Sequence, residues 1–110
     1  MLKVSGNTIK LTRADSMQIL LALSKNGDTF TPEQNDVIRF SVSKVPKGKC
    51  GYNLLISKVV NNDTLLLELD PQDTASLPYG DYLFDLEITY ASGAVDTFLK
   101  GTFTLTEEVG

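Results

Sequence analysis

Acidic side chains dominate the chemistry this chain could offer. Asp63, Glu68, Asp70, Asp73, Asp81, Asp85, Glu87 and Asp96 crowd its second half. Asp85 and Glu87 fall two residues apart, so they share one face of an extended strand. Asp96 can lie opposite them across a hairpin at 91–93. Such a trio could hold Ca²⁺ through oxygen ligands, and paired carboxylates could hydrolyse glycosides. No Asp-x-Asp-x-Asp-Gly loop is present, and the few aromatic residues fall mostly in core phase, leaving little to line a sugar cleft. The favoured reading of the trio is a solvated sheet face that discourages edge pairing. The chain has no His, which removes Ser-His-Asp and Cys-His catalysis and every imidazole metal site. Cys50, the single cysteine, cannot close an intrachain disulfide or build a zinc site. It sits in Lys47-Gly48-Lys49-Cys50-Gly51, where flanking lysines could activate a nucleophile, but an incidental loop cysteine is the simpler reading. Asn62-Asp63-Thr64 matches an N-glycosylation acceptor, read as a chance match because no leader peptide is visible.

Partners are bounded in the same way. With 10 Lys or Arg against 14 Asp or Glu, the formal charge is −4. No two basic residues are adjacent, so phosphate contacts would release few counterions and nucleic-acid binding is not expected. Lys44, Lys47 and Lys49 beside Tyr52 form one local basic spot, suited to an acidic partner or simply solvated. No apolar run approaches the ~18 residues that span a bilayer, and no basic-then-apolar leader opens the chain, so a soluble protein without membrane contact is expected. No cofactor site is indicated.

The elements that must position these groups follow a period of two. Length suits one domain over 1–110. Leu, Val, Ile and Phe make up 34 of the 110 positions, well above the disordered class, so a packed core is expected. Ile9 and Leu11 alternate with polar neighbours, as do Met17, Ile19, Leu21 and Leu23, then Ile38, Phe40 and Val42. Leu65, Leu67 and Leu69 make another strand with Glu68 outward. Tyr82, Phe84, Leu86 and Ile88 give the cleanest alternation, and Val95, Thr97 and Leu99 continue through a bulge expected at Gly101 to Phe103 and Leu105. The run from Leu54 to Val60 is extended, but alternation does not fix its phase. Asn26-Gly27 and Asn61-Asn62-Asp63 mark turns. Thr31-Pro32-Glu33-Gln34 and Asp70-Pro71-Gln72-Asp73 each read as one helical turn, with an N-cap residue and Pro at the first position. The sum is an all-β, immunoglobulin-like antiparallel β-sandwich of about seven to eight strands with two short helical turns. Tyr82, at the head of the best strand, is expected to hydrogen-bond back to the preceding corner, with Tyr79 as the competing choice. Leu20, Ala22 and Leu66 point away from the inferred core and are the candidate interaction surface. No catalytic or metal residue is assigned.

Four stretches carry a family resemblance. They are Leu-Lys-Val-Ser-Gly-Asn-Thr-Ile-Lys-Leu-Thr-Arg-Ala-Asp at 2–15, Asp-Val-Ile-Arg-Phe-Ser-Val at 36–42, Leu-Glu-Leu-Asp-Pro-Gln-Asp-Thr-Ala-Ser-Leu-Pro-Tyr-Gly-Asp-Tyr at 67–82 and Tyr-Ala-Ser-Gly-Ala-Val-Asp-Thr at 90–97. They follow one another in order and cover 45 of the 110 residues. They resemble the amino-terminal immunoglobulin-like domain of phage baseplate upper proteins, and related tail or virion-decorating modules, of Gram-positive bacteria. The resemblance implies a non-enzymatic attachment piece that contacts other phage structural proteins and further copies of itself. It also implies residence in the virion, and in the host cytoplasm before assembly. A baseplate upper protein continues beyond such a domain, whereas this chain stops at Gly110, so a whole chain would be expected to serve assembly or decoration. No site residue transfers from the family. The second reading is an extracellular or cell-surface immunoglobulin-like adhesion module with a carbohydrate or host-protein partner. A third, a Ca²⁺-dependent or glycan-cleaving enzyme, needs carboxylates that converge in a cleft.

Overall fold

A computed structural model of the chain describes residues 3–5, 8–21, 23–25, 28–46 and 48–107. Ten strands and one short helix are formed among them: β1 (Lys3–Ser5), β2 (Thr8–Thr12), β3 (Met17–Leu20), β4 (Ser24–Lys25), β5 (Asp28–Thr29), β6 (Val37–Ser43), β7 (Leu54–Val60), β8 (Leu66–Leu69), α1 (Pro71–Ala75), β9 (Gly80–Thr89) and β10 (Val95–Thr106). The chain is thus mostly β. Six strands form one sheet in the order β1-β2-β10-β9-β6-β7, β3 and β8 form a second, and β4 and β5 form a small hairpin. In that hairpin Lys25 lies opposite Asp28; the turn expected at Asn26-Gly27 lies outside the described residues.

Alternation sorts the side chains into one core. Tyr82, Phe84, Leu86 and Ile88 on β9 share it with Ile38, Phe40 and Val42 on β6, and with Ile9, Leu11, Phe103 and Leu105 from β2 and β10. Met17, Leu67 and Leu69 of the small sheet cover them, giving a two-layer, sandwich-like packing. Phe40 lies at the centre, its ring 5.6 Å from Phe84 and 6.1 Å from Phe103.

Several expectations are corrected. β2 and β10 pair parallel, Ile9 opposite Phe103 and Leu11 opposite Leu105, so the large sheet is not wholly antiparallel. Parallel neighbours need a long crossover, and here nearly the whole chain supplies it. The strand expected from Leu65 begins at Leu66, because Leu65 takes a left-handed φ of 55°. Its N–H donates to the Asn61 carbonyl at 2.8 Å, and its carbonyl accepts from Leu21 N–H at 2.8 Å, which hold a conformation costly for a leucine. The bulge falls between Thr97 and Leu99, whereas Gly101 sits in register opposite Phe84. Of the two helical turns, α1 forms as expected. The segment from Thr31 instead makes a tight turn, Asp36 N–H donating to the Glu33 carbonyl at 3.0 Å and the Asp36 carboxylate accepting Glu33 N–H at 2.9 Å. With that carboxylate closing the turn, Val37 passes directly into β6.

The corner bond belongs to Tyr82. Its hydroxyl donates to the Pro78 carbonyl at 2.6 Å, while Tyr79 stays exposed beneath the Arg13 guanidinium at 4.2 Å. Gly80 follows with φ +133°, a region that side chains disfavour. Burial pushes the Tyr82 phenol above its ordinary 10.0, with the Arg13 charge pulling weakly the other way. The Lys58 ammonium is raised above 10.5 by its hydrogen bond to Asp73. In both cases the folded chain holds a proton that the unfolded chain releases. The stabilisation is therefore intact below pH 10 and is lost as pH climbs through the folded values. Tyr82→Phe is expected to cost about 1 kcal/mol at neutral pH. It should also flatten the alkaline decline in melting temperature, read from thermal melts between pH 8 and 11. An unchanged alkaline slope would assign that decline elsewhere.

Candidate interaction surfaces

Of the three residues expected to face outward, two meet. The β3–β8 register puts Leu20 directly opposite Leu66, on the same face as the Gln18–Glu68 pair, whose side chains hydrogen-bond at 3.2 Å. Leu20 is 71% exposed, the most open large apolar side chain among the described residues, and Leu66 is half-buried beside it. The opposite face of these strands sends Met17, Leu67 and Leu69 into the core, with Ile19 packed against it. A one-residue phase therefore decides which leucines are wet. Ala22 lies outside the described residues.

The outer face of the six-stranded sheet is patterned by charge. Arg39 stands opposite Glu87, and Lys100 opposite Asp85, so the acidic row on β9 is flanked by cations on both sides. Opposite charges at directly facing positions favour this register. Val37, Val59, Leu83 and Val95 are exposed around them. Alternation already placed Leu83 on this face, whereas Val95, expected in phase with Leu99, is turned outward by the bulge between Thr97 and Leu99. A trough of about 410 Å³ opens there between Pro46 and the strands at Leu83 and Lys100.

The carboxylate trio does not assemble. The bulge at Phe98 reverses the phase of β10, so Asp96 lies opposite core-facing Ile88, while Asp85 and Glu87 face out. Among the described residues no group of three potential metal ligands converges. Asp70 and Asp73 have structural work instead. The Asp73 carboxylate accepts Asp70 N–H at 2.7 Å, closing the first turn of α1, and takes the Lys58 ammonium at 3.0 Å, with Asp70 at 3.8 Å.

The basic spot is smaller than its sequence suggests. The Lys44 ammonium folds back to donate to the Asp81 carbonyl at 2.8 Å and lies 4.5 Å over the Tyr82 ring. Lys49 and Cys50 are exposed on a loop turned by Gly48 and Gly51, both at φ +85°, and Lys47 lies outside the described residues.

One buried polar cluster has almost no signature in the sequence. Buried Asp36 accepts Glu33 N–H through one carboxylate oxygen and Ala91 N–H at 3.0 Å through the other. Its own carbonyl accepts from Asn62 Nδ2, which also reaches the Glu33 and Gln34 carbonyls at 3.2 and 3.4 Å. The pair ties the loop before β6, the turn before β8 and the β9–β10 hairpin into one end of the sandwich. The Asn62 side-chain amide is thereby committed to these carbonyls. The only sequence signal was Asn62 and Asp36 standing at turn positions.

No protein-family model and no curated protein matches this chain.

Proposed function

We propose that this chain is a non-enzymatic structural module of a phage or prophage particle, immunoglobulin-like in fold, that acts through contacts with other structural proteins and with further copies of itself. The observation that carries the contact role is the Leu20–Leu66 pair on the open face of the β3–β8 sheet, with Leu20 71% exposed. A leucine held that far into water is worth about 1.5–3 kcal/mol to a partner that covers it. The phage assignment rests on the resemblance of 2–15, 36–42, 67–82 and 90–97 to baseplate upper proteins. Three features support the immunoglobulin-like reading: the division of strands between the two sheets, the parallel pairing of β2 with β10, and the Tyr82 bond to the corner before it.

The test is light scattering over a concentration series, with and without the neighbouring structural protein of the same particle. The expected result is association that Leu20→Glu weakens roughly 10- to 100-fold, the equivalent of one buried leucine. A strict monomer, indifferent to that protein, would remove the reading.

A further inference from the structure

We propose that Lys58 guards the open edge of the six-stranded sheet, and that the interaction it prevents is antiparallel pairing of β7 with β7 of a second copy of this chain. The sheet ends in β1, three residues long, and in β7, seven residues long. Among the described residues no strand pairs with the far side of β7. The five residues in unbroken register with β6, 56–60, present about 17 Å of edge, along which alternate residues turn their backbone donors and acceptors outward. The sequence of β7, Leu54-Leu55-Ile56-Ser57-Lys58-Val59-Val60, has neither Pro nor Gly, and Val59 on it is 61% exposed. Such an edge recruits further strands unless something opposes them.

Lys58 is the opposing element. It stands between Ile56 and Val60 in the inward phase, directly opposite Phe40, which is fully buried. A lysine fits there only because the strand is last in the sheet. Its stem lies along the core, and its ammonium leaves through the side of the sandwich to meet Asp73 on α1 and Asp70 at the N-cap of that helix. The strand is otherwise complementary to itself. The ladder to β6 skips Leu55, so the regular edge is residues 56–60; under a two-fold axis through Ser57, the flanking Leu55 and Leu54 come alongside Val59 and Val60 of the second copy, apolar against apolar. Position 58 then faces Ile56 of the second copy, with Phe40 on its other side. The ammonium loses its exit to water and to α1, and an enclosed charge is heavily penalised. The one charged residue of the strand thus blocks the partner that the rest of the strand would accept. Inward-pointing charge on an edge strand is a general device against sheet extension.

The experiment uses the full chain with Cys50→Ser throughout, so that a thiol placed at position 57 reports alone. Lys58→Ile is expected to double the apparent mass in light scattering as concentration rises. Adding Ser57→Cys should then trap a disulfide dimer under mild oxidation, while the same thiol beside native Lys58 stays largely uncrosslinked. Lys58→Gln, close to lysine in length and polarity but uncharged, serves if the isoleucine variant does not fold and should raise cross-linking about tenfold over native Lys58. Leu20→Glu leaves this dimer intact, which separates it from association through the leucine pair. Folded Lys58 variants that stay monomeric overturn the proposal. So does equal cross-linking with native Lys58, and so does capture of an unrelated extended peptide in place of a second copy.

Discussion

Replacing Phe40 with Ala is expected to remove about 4 kcal/mol of stability, the largest loss available from one side chain here. Phe40 is fully buried, on a strand flanked on both sides, and its ring meets those of Phe84 and Phe103. Truncation forfeits the transfer energy of the ring and leaves a cavity that two sheets cannot collapse to fill. It also removes two aromatic contacts, each worth roughly 0.5–1.5 kcal/mol beyond area. Against a total of about 5–15 kcal/mol for a domain of this kind, the variant is expected to lie near its unfolding threshold. Urea titration should show a large fall in midpoint with an unchanged slope. Phe40→Leu, which fills most of the space, should lose less than half as much. A Phe40→Ala loss of under about 1 kcal/mol would mean that the core is not centred on this ring.

Asp36→Ala is expected to cost about 3 kcal/mol, although it deletes no apolar contact. Both carboxylate oxygens accept backbone N–H groups, from Glu33 and from Ala91, and the residue is buried. Removing the acceptor strands two donors where water does not readily replace it, and charge-assisted bonds are the stronger kind. Asp36→Asn should be little better, because one of its two positions becomes an NH₂ group facing an N–H. For a domain of this length the loss corresponds to roughly 15 °C in melting temperature. Hydrogen exchange supplies the local readout. The Glu33 and Ala91 amides should lose protection together, ahead of the β9 amides, as the tied end of the sandwich opens. Simultaneous loss throughout the chain would show that Asp36 supports the global fold rather than that end.

Both effects arise from residues whose neighbours are far away in sequence, and that marks the limit of a linear reading. Phe40 was legible as core because Ile38, Phe40 and Val42 alternate with polar residues. Asp36 was not legible. Nothing at position 36 indicates that Ala91, 55 residues on, will bring an N–H to its carboxylate. The same division runs through the candidate surfaces. Alternation placed Leu20 and Leu66 on outward faces, but only the β3–β8 register placed them opposite each other. Alternation also grouped Asp96 with Asp85 and Glu87, until one extra residue at Phe98 turned it to the other side. The phase of β7 could not be read because Leu55 stands out of the ladder to β6 and a lysine occupies an inward position, where its ammonium is met by Asp73 of α1 and by Asp70 before it.

Local pattern is enough for the element type and buried face of most strands, the single turn of α1 and the choice of Tyr82 for the corner. Each of these depends on residues a few positions apart, where backbone geometry alone fixes which side chains share a side. The parallel join of β2 to β10, the left-handed turn at Leu65, the bulge at Phe98, the Asp36–Asn62 tie and the inward lysine of β7 emerge only once the chain is packed. These depend on which distant strand lies alongside and in what register. That choice is settled by summed burial and hydrogen bonding over the whole fold, a quantity that no local window contains.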